Sequence, residues 1–349
     1  MKIALIRRGS VTSIDGVNRF IALLAEGFTK LGHDVFVASW CYESIAQEEL
    51  EEWFSRVHGL DNPIPIYTLN SKPCKGGPWL KIAWDWWIKG SKLLSDEKAE
   101  AAIVNGIIPL RFKPKIAVNH GITLKPNRLY LLAIKHLYER YDEVICVSSK
   151  LRKEVKEILN VDCRVIPLPV KLDLFKPMRY DERENMVVHV GTRPVKNPHI
   201  SIEAIRILRR RGYDVKLVIV GPPTKLPKIE GVEYRYSIPE KEKLELLCGA
   251  KALVLPSSYE ALPYVTLEAM ACGTPVVVSS AVPEEVVVNG FNGIRVDSYD
   301  PEDYANALEK LLRDEELWLK LSRNSLEFVS QFDYAKVAKK YSDVIREVL

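Results

Sequence analysis

The sequence contains no apolar run close to the roughly 18 residues that a membrane-spanning helix needs. Residues 1–6 are also too short for the apolar region of a signal peptide and lead directly into arginines, so they predict a first β-strand. We therefore expect a cytoplasmic protein. Glutamine occurs only twice among 349 residues, while lysine and glutamate are abundant. This balance is typical of proteins from hot environments, and it hints at a thermophilic source.

Motifs for metal ions are missing as well. The six cysteines form no Cys-x-x-Cys pair, and the six histidines show no spacing that is typical of zinc ligands. No Asp-x-Asp occurs that would bind a divalent cation together with a diphosphate. We therefore expect no metal and no other cofactor. The scattered cysteines, several in apolar surroundings, predict buried thiols rather than disulfides or a zinc site.

Size and composition indicate a soluble protein of two domains. A chain of 349 residues is longer than one hydrophobic core usually supports. Hydrophobic residues make up 47% of the chain and charged residues 28%, which are ordinary values for a globular protein. The net charge is only +4 and no nucleic-acid recognition module occurs, so nucleic acid is not expected as a partner.

Short apolar segments alternate with helical stretches in both halves of the chain, which predicts an α/β protein with mostly parallel sheets. The predicted strands of the first half are residues 2–6, 34–38, 101–104, 116–118 and 143–147, with a helix over 16–31 closed by Gly32. Those of the second half are residues 186–190, 216–220, 252–255, 275–278 and 294–296. We predict domains at 1–177, completed by a last helix over 333–349, and at 178–332.

The most informative stretch is residues 257–276, where Glu260 and Glu268 stand eight positions apart. Glu260 follows the predicted strand 252–255, and ligands of open α/β sheets bind at the carboxyl ends of strands. A helix that begins near Tyr264 would carry Glu268 and offer unpaired first-turn amides to a phosphate. Two glutamates could also be only a solvated surface. The strand end and the following Ala-Met-Ala-x-Gly-x-Pro-Val-Val run argue against an ordinary surface helix.

This stretch resembles the signature of retaining glycosyltransferases of family 4, also called glycosyltransferase group 1. The resemblance covers nearly the whole chain and implies the GT-B fold, in which two Rossmann-like domains face each other across a cleft. It implies that Glu260 contacts the donor sugar and that Glu268 binds the ribose hydroxyls. The neighbouring residues implied in nucleotide-sugar binding are Leu262, Tyr264, Val265 and Thr266, of which the last two would lie near the α-phosphate. Ala261 and Pro263 stand where many relatives carry glycine.

A second segment, Gly191-Thr-Arg193-Pro-Val-Lys196, places two cations at the end of the predicted strand 186–190. Arginine offers a planar fork to phosphate oxygens and lysine a point charge, so the two could neutralise a departing nucleoside diphosphate. The alternative is a solvated basic loop. The segment resembles the family's Gly-Arg…Lys motif, although Thr192 stands between the glycine and Arg193, and this resemblance implies catalytic and donor-binding roles for Arg193 and Lys196.

Gly16, His120 and Ile238 complete the predicted site. The amides of the loop before Gly16 could hold a phosphate, but the loop lacks the patterns of dehydrogenases and P-loop ATPases. Gly16 matches one glycine of a pair that the family carries there. His120 follows the predicted strand 116–118; it is either structural or, as the resemblance implies, part of the catalytic site. Ile238 lies in a turn where family members hold the nucleotide base through backbone groups.

The segment 72–135 differs in character from the rest of the chain. It contains twelve basic and four acidic residues, and four tryptophans lie among its lysines. Such a segment could dock peripherally at the inner face of a membrane, or bind an acidic or lipid-linked acceptor. Its aromatic residues could instead pack inside the first domain. The tryptophans are Trp79, Trp84, Trp86 and Trp87, with Lys81 and Lys89 between them.

Taken together, these features predict a retaining glycosyltransferase that moves a sugar from a UDP- or GDP-linked donor to a lipid-linked, glycan or small-molecule acceptor. The acceptor would be bound mainly by the first domain and the donor by the second. Two alternatives remain open. The first is a non-catalytic protein that binds nucleotide sugars or acts as a scaffold, and the second is a nucleotide-sugar 2-epimerase, which shares the fold but lacks this Glu-x₇-Glu motif.

Overall fold

We analysed a computed structural model of the chain that describes residues 1–43, 45–70, 74, 77–121 and 128–349, with the backbone only for 128–130. The chain divides into two compact units. Unit 1 comprises residues 1–170 and 332–349, and unit 2 comprises residues 171–331. The sequence predicted 1–177 with 333–349, and 178–332.

Unit 1 is built on a seven-stranded parallel sheet in the order β3-β2-β1-β4-β5-β6-β7. Its interior strand β1 is fully buried over residues 3–6, as the continuous apolar run of a strand covered on both faces requires. The strands are β1 (Lys2–Ser10), β2 (Asp34–Cys41), β3 (Ile66–Thr68), β4 (Ala101–Asn105), β5 (Lys115–Asn119), β6 (Glu143–Cys146) and β7 (Arg164–Val165).

The first helix shows how local sequence sets an element's ends. The Asp15 side chain accepts hydrogen bonds from the first-turn amides of Val17 and Asn18, and Gly32 follows the helix at a φ of +79° that favours glycine. The helices of this part are α1 (Gly16–Lys30), α2 (Leu50–His58), α3 (Trp79–Asp85), α4 (Ser91–Asp96), α5 (Arg128–Tyr138) and α6 (Ser149–Leu159), with a π-helical turn (Trp86–Gly90) between α3 and α4.

Unit 2 repeats the design with a six-stranded parallel sheet in the order β10-β9-β8-β11-β12-β13. Its strands are β8 (Glu184–Val190), β9 (Lys216–Gly221), β10 (Val232–Tyr236), β11 (Ala250–Leu255), β12 (Val276–Ser279) and β13 (Ile294–Val296). Its helices are α7 (Pro198–Arg210), α8 (Glu240–Gly249), α9 (Tyr264–Ala271), α10 (Pro301–Arg313) and α11 (Glu315–Val329). The α/β prediction is confirmed, and all ten predicted strands are present, but the sequence analysis missed three more strands, β3, β7 and β10.

The last helix, α12 (Tyr334–Val348), returns to unit 1 and packs on α1. The contact is close at Gly27, where an added Cβ would lie 2.7 Å from the Cβ of Ala338. Backbone hydrogen bonds from Val170 to Phe332 (2.8 Å) and from Tyr334 to Val170 (3.0 Å) fix the point of return. Small residues at the crossing therefore let the two helices approach each other.

Arg183 shows that the connector before β8 is not merely a polar surface loop. Its guanidinium is buried, stacks on the Trp318 ring at 4.7 Å, and donates to the carbonyls of Ala250 and Cys272 and to the Thr274 hydroxyl. Burial lowers the pKa of Arg183 to about 10, so the group remains a cation at neutral pH. This one side chain ties the start of β8 to the β11 and α9 region.

The expectation of buried thiols is wrong. All six cysteines are paired, as Cys41–Cys74, Cys146–Cys163 and Cys248–Cys272, with Cα–Cα separations of 6.0, 5.8 and 4.7 Å. The partners are brought together by the fold, because each pair joins residues at the ends of neighbouring segments rather than within one motif. Sequence spacing alone carries no such information.

Among the residues that the structure describes, no helix combines the length and the apolar character that crossing a bilayer requires.

We predict that the unreduced protein, unfolded in guanidinium, shows no thiol that reacts with a thiol-specific dye. Reduction should lower the free energy of unfolding by about 3 kcal/mol for each bridge, because each closes a loop of moderate length in the unfolded chain. Denaturant titrations with and without reductant measure the difference. The matched control is the Cys248→Ser/Cys272→Ser variant, which should lose less stability on reduction. Detection of several free thiols would contradict the pairing.

Candidate active site

The order of the strands in unit 2 defines a crevice. The chain winds outward in one direction through β8, β9 and β10 and in the other through β11, β12 and β13, so the direction reverses between β8 and β11. Ligands of open parallel sheets bind at such a reversal, beyond the carboxyl ends of the strands. The loops that leave β8 and β11 there are the two segments that the sequence singled out.

The loop after β8 turns sharply at Gly191, whose φ is +117°. A Cβ at this position would lie 2.7 Å from Cγ of Lys196, so only glycine lets the lysine side chain fold back over the turn. The buried His189 holds the turn from below: its Nε2 donates to the Gly191 carbonyl (2.7 Å), and its Nδ1 accepts from the Ser201 hydroxyl (2.8 Å).

The central contact joins Lys196 to Glu260. The Lys196 Nζ lies 2.5 Å from Oε1 of Glu260, and both side chains are largely buried. The two loops are also tied by their backbones, since the Ser258 amide donates to the Val195 carbonyl (2.8 Å) and the Asn197 side chain donates to the Pro256 carbonyl (2.9 Å). A cation and a carboxylate are thus held together at the mouth of the crevice.

Arg193 lies on the same loop as Lys196 but, unlike that lysine, is exposed to solvent. Its side chain is exposed and forms no ion pair with any residue that the structure describes. A solvated guanidinium beside a largely neutralised lysine can receive an anionic ligand without first breaking a protein contact. The geometry is therefore compatible with the diphosphate role predicted for this arginine.

Glu268 sits on α9 and is paired with a residue that the sequence analysis missed. Its carboxylate is buried, and its Oε2 lies 2.8 Å from Nζ of Lys243 on α8. Lys243 also contacts Glu240 at 2.8 Å. No motif marks Lys243 in the sequence, because its contact with Glu268 depends on how α8 packs beside α9. The two predicted glutamates are therefore held by two different lysines.

The start of α9 is the predicted phosphate position. Pro263 is the N-cap residue and has no amide to donate, and the Thr266 amide donates to the Pro263 carbonyl at 3.2 Å. The Thr266 hydroxyl is buried and has no hydrogen-bond partner within the described part of the chain. Leu262 and Val265 are buried beside it, and Tyr264 is half-buried.

Ile238 lies at the other side of the unit 2 crevice, after β10. Its turn is anchored to the end of β9, because the amide of Ser237, which has a φ of +52°, donates to the Gly221 carbonyl at 3.1 Å. Ile238 itself is half-buried. The turn therefore presents backbone groups at the carboxyl edge of the sheet, as the predicted base contact needs.

In unit 1, His120 lines a cavity of about 300 Å³ at the corresponding reversal between β1 and β4. Its Nε2 lies 2.8 Å from Oδ1 of Asn105, and its ring packs edge-on against Phe20 at 4.8 Å. Asn105 donates its own amide nitrogen to the Ile6 carbonyl, so Oδ1 must accept and Nε2 must carry the hydrogen. Burial and the nearby Arg7 lower the pKa of His120 to about 3, so the ring is neutral with Nδ1 as an acceptor.

Gly16 begins α1 at the same edge and is exposed. The expected cradle for a phosphate is filled by the protein, because the Val17 and Asn18 amides donate to Oδ1 of Asp15 at 3.0 and 2.9 Å. The other Asp15 oxygen lies 2.5 Å from the Arg7 guanidinium. A carboxylate of the protein therefore occupies the first two amides of this helix end, and the phosphate role of the loop and of Gly16 stays a prediction.

The site residues thus fall into two groups. In unit 2 the structure brings Lys196 and Glu260 into contact, places Arg193 on the same loop, and seats Glu268 on the helix that follows. Gly16 and His120 lie in unit 1. Sequence reasoning missed Lys243, Asn105 and Asp15, each of which acts on a predicted residue through a contact that only the fold creates.

Two family models match the chain. The model described as glycosyl transferases group 1 matches residues 171–328, and the model described as glycosyltransferase family 4 matches residues 14–174. The chain is therefore a glycosyltransferase of the group 1, family 4 type, an enzyme of the transferase class.

Curated relatives are consistent with this class. An uncharacterised glycosyltransferase of Methanocaldococcus jannaschii is 26% identical over 267 residues, which is 71% of this chain and 74% of the relative. A GDP-mannose-dependent α-(1-6)-phosphatidylinositol dimannoside mannosyltransferase of Mycobacterium tuberculosis is 28% identical over 189 residues. That match covers 49% of each chain.

Solved structures show the same fold. The sucrose-phosphate synthase from Thermosynechococcus elongatus has a TM-score of 0.78 at 19% identity, covering 99% of this chain and 98% of its own. The Anabaena protein HepE in complex with UDP-glucose has a TM-score of 0.76 at 18% identity, covering 99% of this chain and all of its own. The GT-B fold, predicted from the resemblance, is confirmed.

We predict that stability falls as the pH drops below about 6.5, in part because His189 is buried as a neutral ring. Burial lowers the pKa of His189 to about 4, while an unfolded histidine titrates near 6.5, so the unfolded chain binds the extra proton first. At pH 5 this one group should cost about 2 kcal/mol. Denaturant titrations at several pH values between 7 and 5 measure the free energy of unfolding. This free energy should fall less steeply with decreasing pH in His189→Asn than in the wild type. The same pH dependence in both proteins would contradict the neutral, buried state assigned to His189.

Proposed function

We propose that the protein is a retaining glycosyltransferase that takes its sugar from a UDP- or GDP-linked donor. The observation that carries this proposal is the buried Lys196–Glu260 pair at the strand-order reversal of unit 2, with the solvated Arg193 beside it. The Anabaena neighbour was solved with UDP-glucose, and the mycobacterial relative depends on GDP-mannose. Both nucleotides are therefore reasonable donors for this chain.

In the proposed reaction the cations of the loop 191–197 stabilise the leaving group. Arg193 would bind the diphosphate with its guanidinium fork, and Lys196 would share its charge between Glu260 and a phosphate oxygen. Their positive charge would take the place of a metal ion, so we propose that catalysis needs none. Attack from the face that the diphosphate leaves, with a phosphate oxygen taking the acceptor's proton, would retain the configuration of the sugar.

The remaining residues would hold the donor in place. Glu260 would accept hydrogen bonds from the sugar hydroxyls and Glu268 from those of the ribose, with Lys243 setting the orientation of the Glu268 carboxylate. The α-phosphate would lie against the amides of Tyr264 and Val265, and the base against the turn at Ile238. These contacts use acceptors for hydroxyls and donors for phosphate, which matches the chemistry of a nucleotide sugar.

His120 would serve the reacting sugar or the acceptor as a neutral hydrogen-bonding group. Its Nε2–H is occupied by Asn105, so Nδ1 is the atom that would accept a hydrogen bond from a hydroxyl. A ring whose pKa is about 3 stays neutral throughout the physiological range. We therefore propose a positioning role for this hydrogen bond rather than a charge interaction.

We also propose that the acceptor is lipid-linked and that unit 1 contacts the cytoplasmic face of a membrane. The helical stretch 79–90 exposes Leu80 and Trp84 to 75% and 65%, with Ile88 one turn further on. Lys81 and Lys89 flank this apolar row, and each is paired with Asp85 at 3.1 Å. Trp86, in contrast, is fully buried. The tryptophan segment is thus part core and part surface. Residues 72–73, 75–76 and 122–127 of the segment 72–135 lie outside the described residues.

We predict that Arg193→Ala lowers the rate of nucleotide release by about two to three orders of magnitude, since it removes a charged donor to the leaving group. Glu268→Ala should weaken donor binding about tenfold to a hundredfold through the lost hydrogen bonds to ribose. Release would be measured from UDP-, GDP- and ADP-sugars, with and without a lipid extract. Arg206→Ala and Glu327→Ala, which remove the same charges from exposed helix positions of unit 2, are the controls.

Each alternative predicts a different result in this assay. Tight donor binding without release under any acceptor would identify a binding or scaffold protein. Conversion of the donor into an epimeric sugar without any acceptor would identify a 2-epimerase.

We predict that Leu80→Ser/Trp84→Ser reduces partitioning onto lipid vesicles about a hundredfold, because two apolar side chains that enter the bilayer surface contribute about 3 kcal/mol together. Flotation with vesicles of phosphatidylcholine and phosphatidylglycerol measures the bound fraction. Ile158→Ser/Leu319→Ser removes two other exposed apolar side chains and should have little effect. Equal losses in both variants would refute a specific contact.

A further inference from the structure

Unit 1 contains a second cavity, of about 430 Å³, away from the one that His120 lines. Its residues come from the loop before β5 and from the segment before β6, including Lys113, Lys115 and Tyr141. Because β5 and β6 are parallel, these residues lie at the amino edge of the sheet. His120 follows β5 at the opposite, carboxyl edge. Five residues of strand separate the edges by about 13 Å, so the two cavities are distinct.

The charge of this cavity is strongly one-sided. Arg111, Lys113, Lys115 and Arg140 line it, and a carboxylate beside the lining, that of Asp142, accepts from the Lys115 amide at 2.9 Å. Asp142 is paired with Lys113 at 2.8 Å, whereas Arg140 is exposed and forms no ion pair within the described residues. The cavity therefore has positive charge in excess of what the neighbouring protein neutralises.

Lys115 is the most informative of these cations because it is buried. Its Nζ donates to the Leu110 carbonyl at 2.7 Å and lies 5.5 Å from the Tyr141 ring. Burial lowers the pKa of Lys115; the nearby Asp142 opposes this shift, while Lys113 and Arg140 add to it. A lysine that the fold keeps buried among like charges would gain from an anion in the cavity.

The walls of the cavity are apolar and lead to the exposed row on the preceding helix. Trp87, Phe112 and Leu137 form part of the lining, and Arg111 stacks on the Trp87 ring at 4.3 Å. Trp87 lies in the π-helical turn that follows α3, one residue before the exposed Ile88, and is itself half-buried. The basic cavity is therefore lined by the same helical segment that carries the apolar row.

We propose that this cavity binds the phosphate-bearing headgroup of an anionic phospholipid while the row of Leu80, Trp84 and Ile88 enters the surface of the same bilayer. The cations match the phosphate, and the apolar walls match the first carbons of the acyl chains. A free oligonucleotide would bind the cations but would not bury the exposed apolar row. The inference rests on the proposed membrane contact, and it adds selectivity for anionic lipid.

The test compares two double variants of equal charge change. Lys113→Gln/Arg140→Gln removes two cations from the cavity, and Lys339→Gln/Lys340→Gln removes two exposed cations from α12. Vesicles of phosphatidylcholine alone, and of phosphatidylcholine mixed with phosphatidylglycerol, are floated with each protein. Melting temperatures report whether each variant folds, and Arg140→Gln alone replaces the double variant if that one does not.

We expect the wild-type protein to prefer the anionic vesicles and the cavity variant to lose about thirtyfold in partitioning, since each cation at the surface contributes roughly a factor of five. The α12 variant should lose no more than roughly threefold, because charges beyond about 10 Å are screened. Equal losses in both variants would overturn the cavity as the site.

The outcomes distinguish the headgroup site from the membrane contact on which it rests. If Leu80→Ser/Trp84→Ser abolishes binding but the cavity variant does not, the membrane contact stands and the headgroup site is refuted. If a duplex oligonucleotide displaces the protein from anionic vesicles and the cavity variant no longer binds that duplex, the cavity serves nucleic acid and the inference also fails. None of these measurements needs a sugar donor, so they are independent of glycosyl transfer.

Discussion

The candidate site depends on one buried ion pair, Lys196 with Glu260, that spans the point where the strand order of unit 2 reverses. Removing one partner of a buried pair leaves an uncompensated charge and typically costs about 3–5 kcal/mol. Two backbone-anchored hydrogen bonds hold the same two loops together, so the pair is set before any ligand arrives. The requirement for glycine at position 191 follows from this pair, because the lysine stem lies where a Cβ would be.

Much of this site could be predicted from the sequence because it uses local signals. Parallel sheets place all strand ends of one kind at one edge, so a charged residue just after an apolar run is placed without knowledge of the rest of the fold. Lys196, Glu260 and His120 were found in this way. What the strand ends could not reveal is which charge meets which, because that depends on the order of the strands and not on their positions in the chain.

The missed residues share a different property. Lys243 reaches Glu268 only because α8 packs beside α9, and Asn105 reaches His120 only because β4 pairs with β5. The three disulfides are the same case, since each joins cysteines that no short motif connects. Such contacts are created by packing, so a single sequence contains the residues but not the evidence that they meet.

The two units have similar sheets, but the charged groups at their strand-order reversals are paired differently, and this difference supports separate roles for the two units. In unit 1 the protein satisfies its own anion position, because Asp15 occupies the first amides of α1 and also binds Arg7, while His120 is neutral. In unit 2 the loop after β8 leaves Arg193 solvated. A diphosphate gains most where a cation is available without breaking an existing contact. We therefore propose that the charged half of a nucleotide sugar binds to unit 2, where the cation lies beside the Lys196–Glu260 pair. The unit 1 cavity keeps one exposed cation, Arg8, beside the neutral His120, so it suits a hydroxyl-rich acceptor that also carries an anionic group.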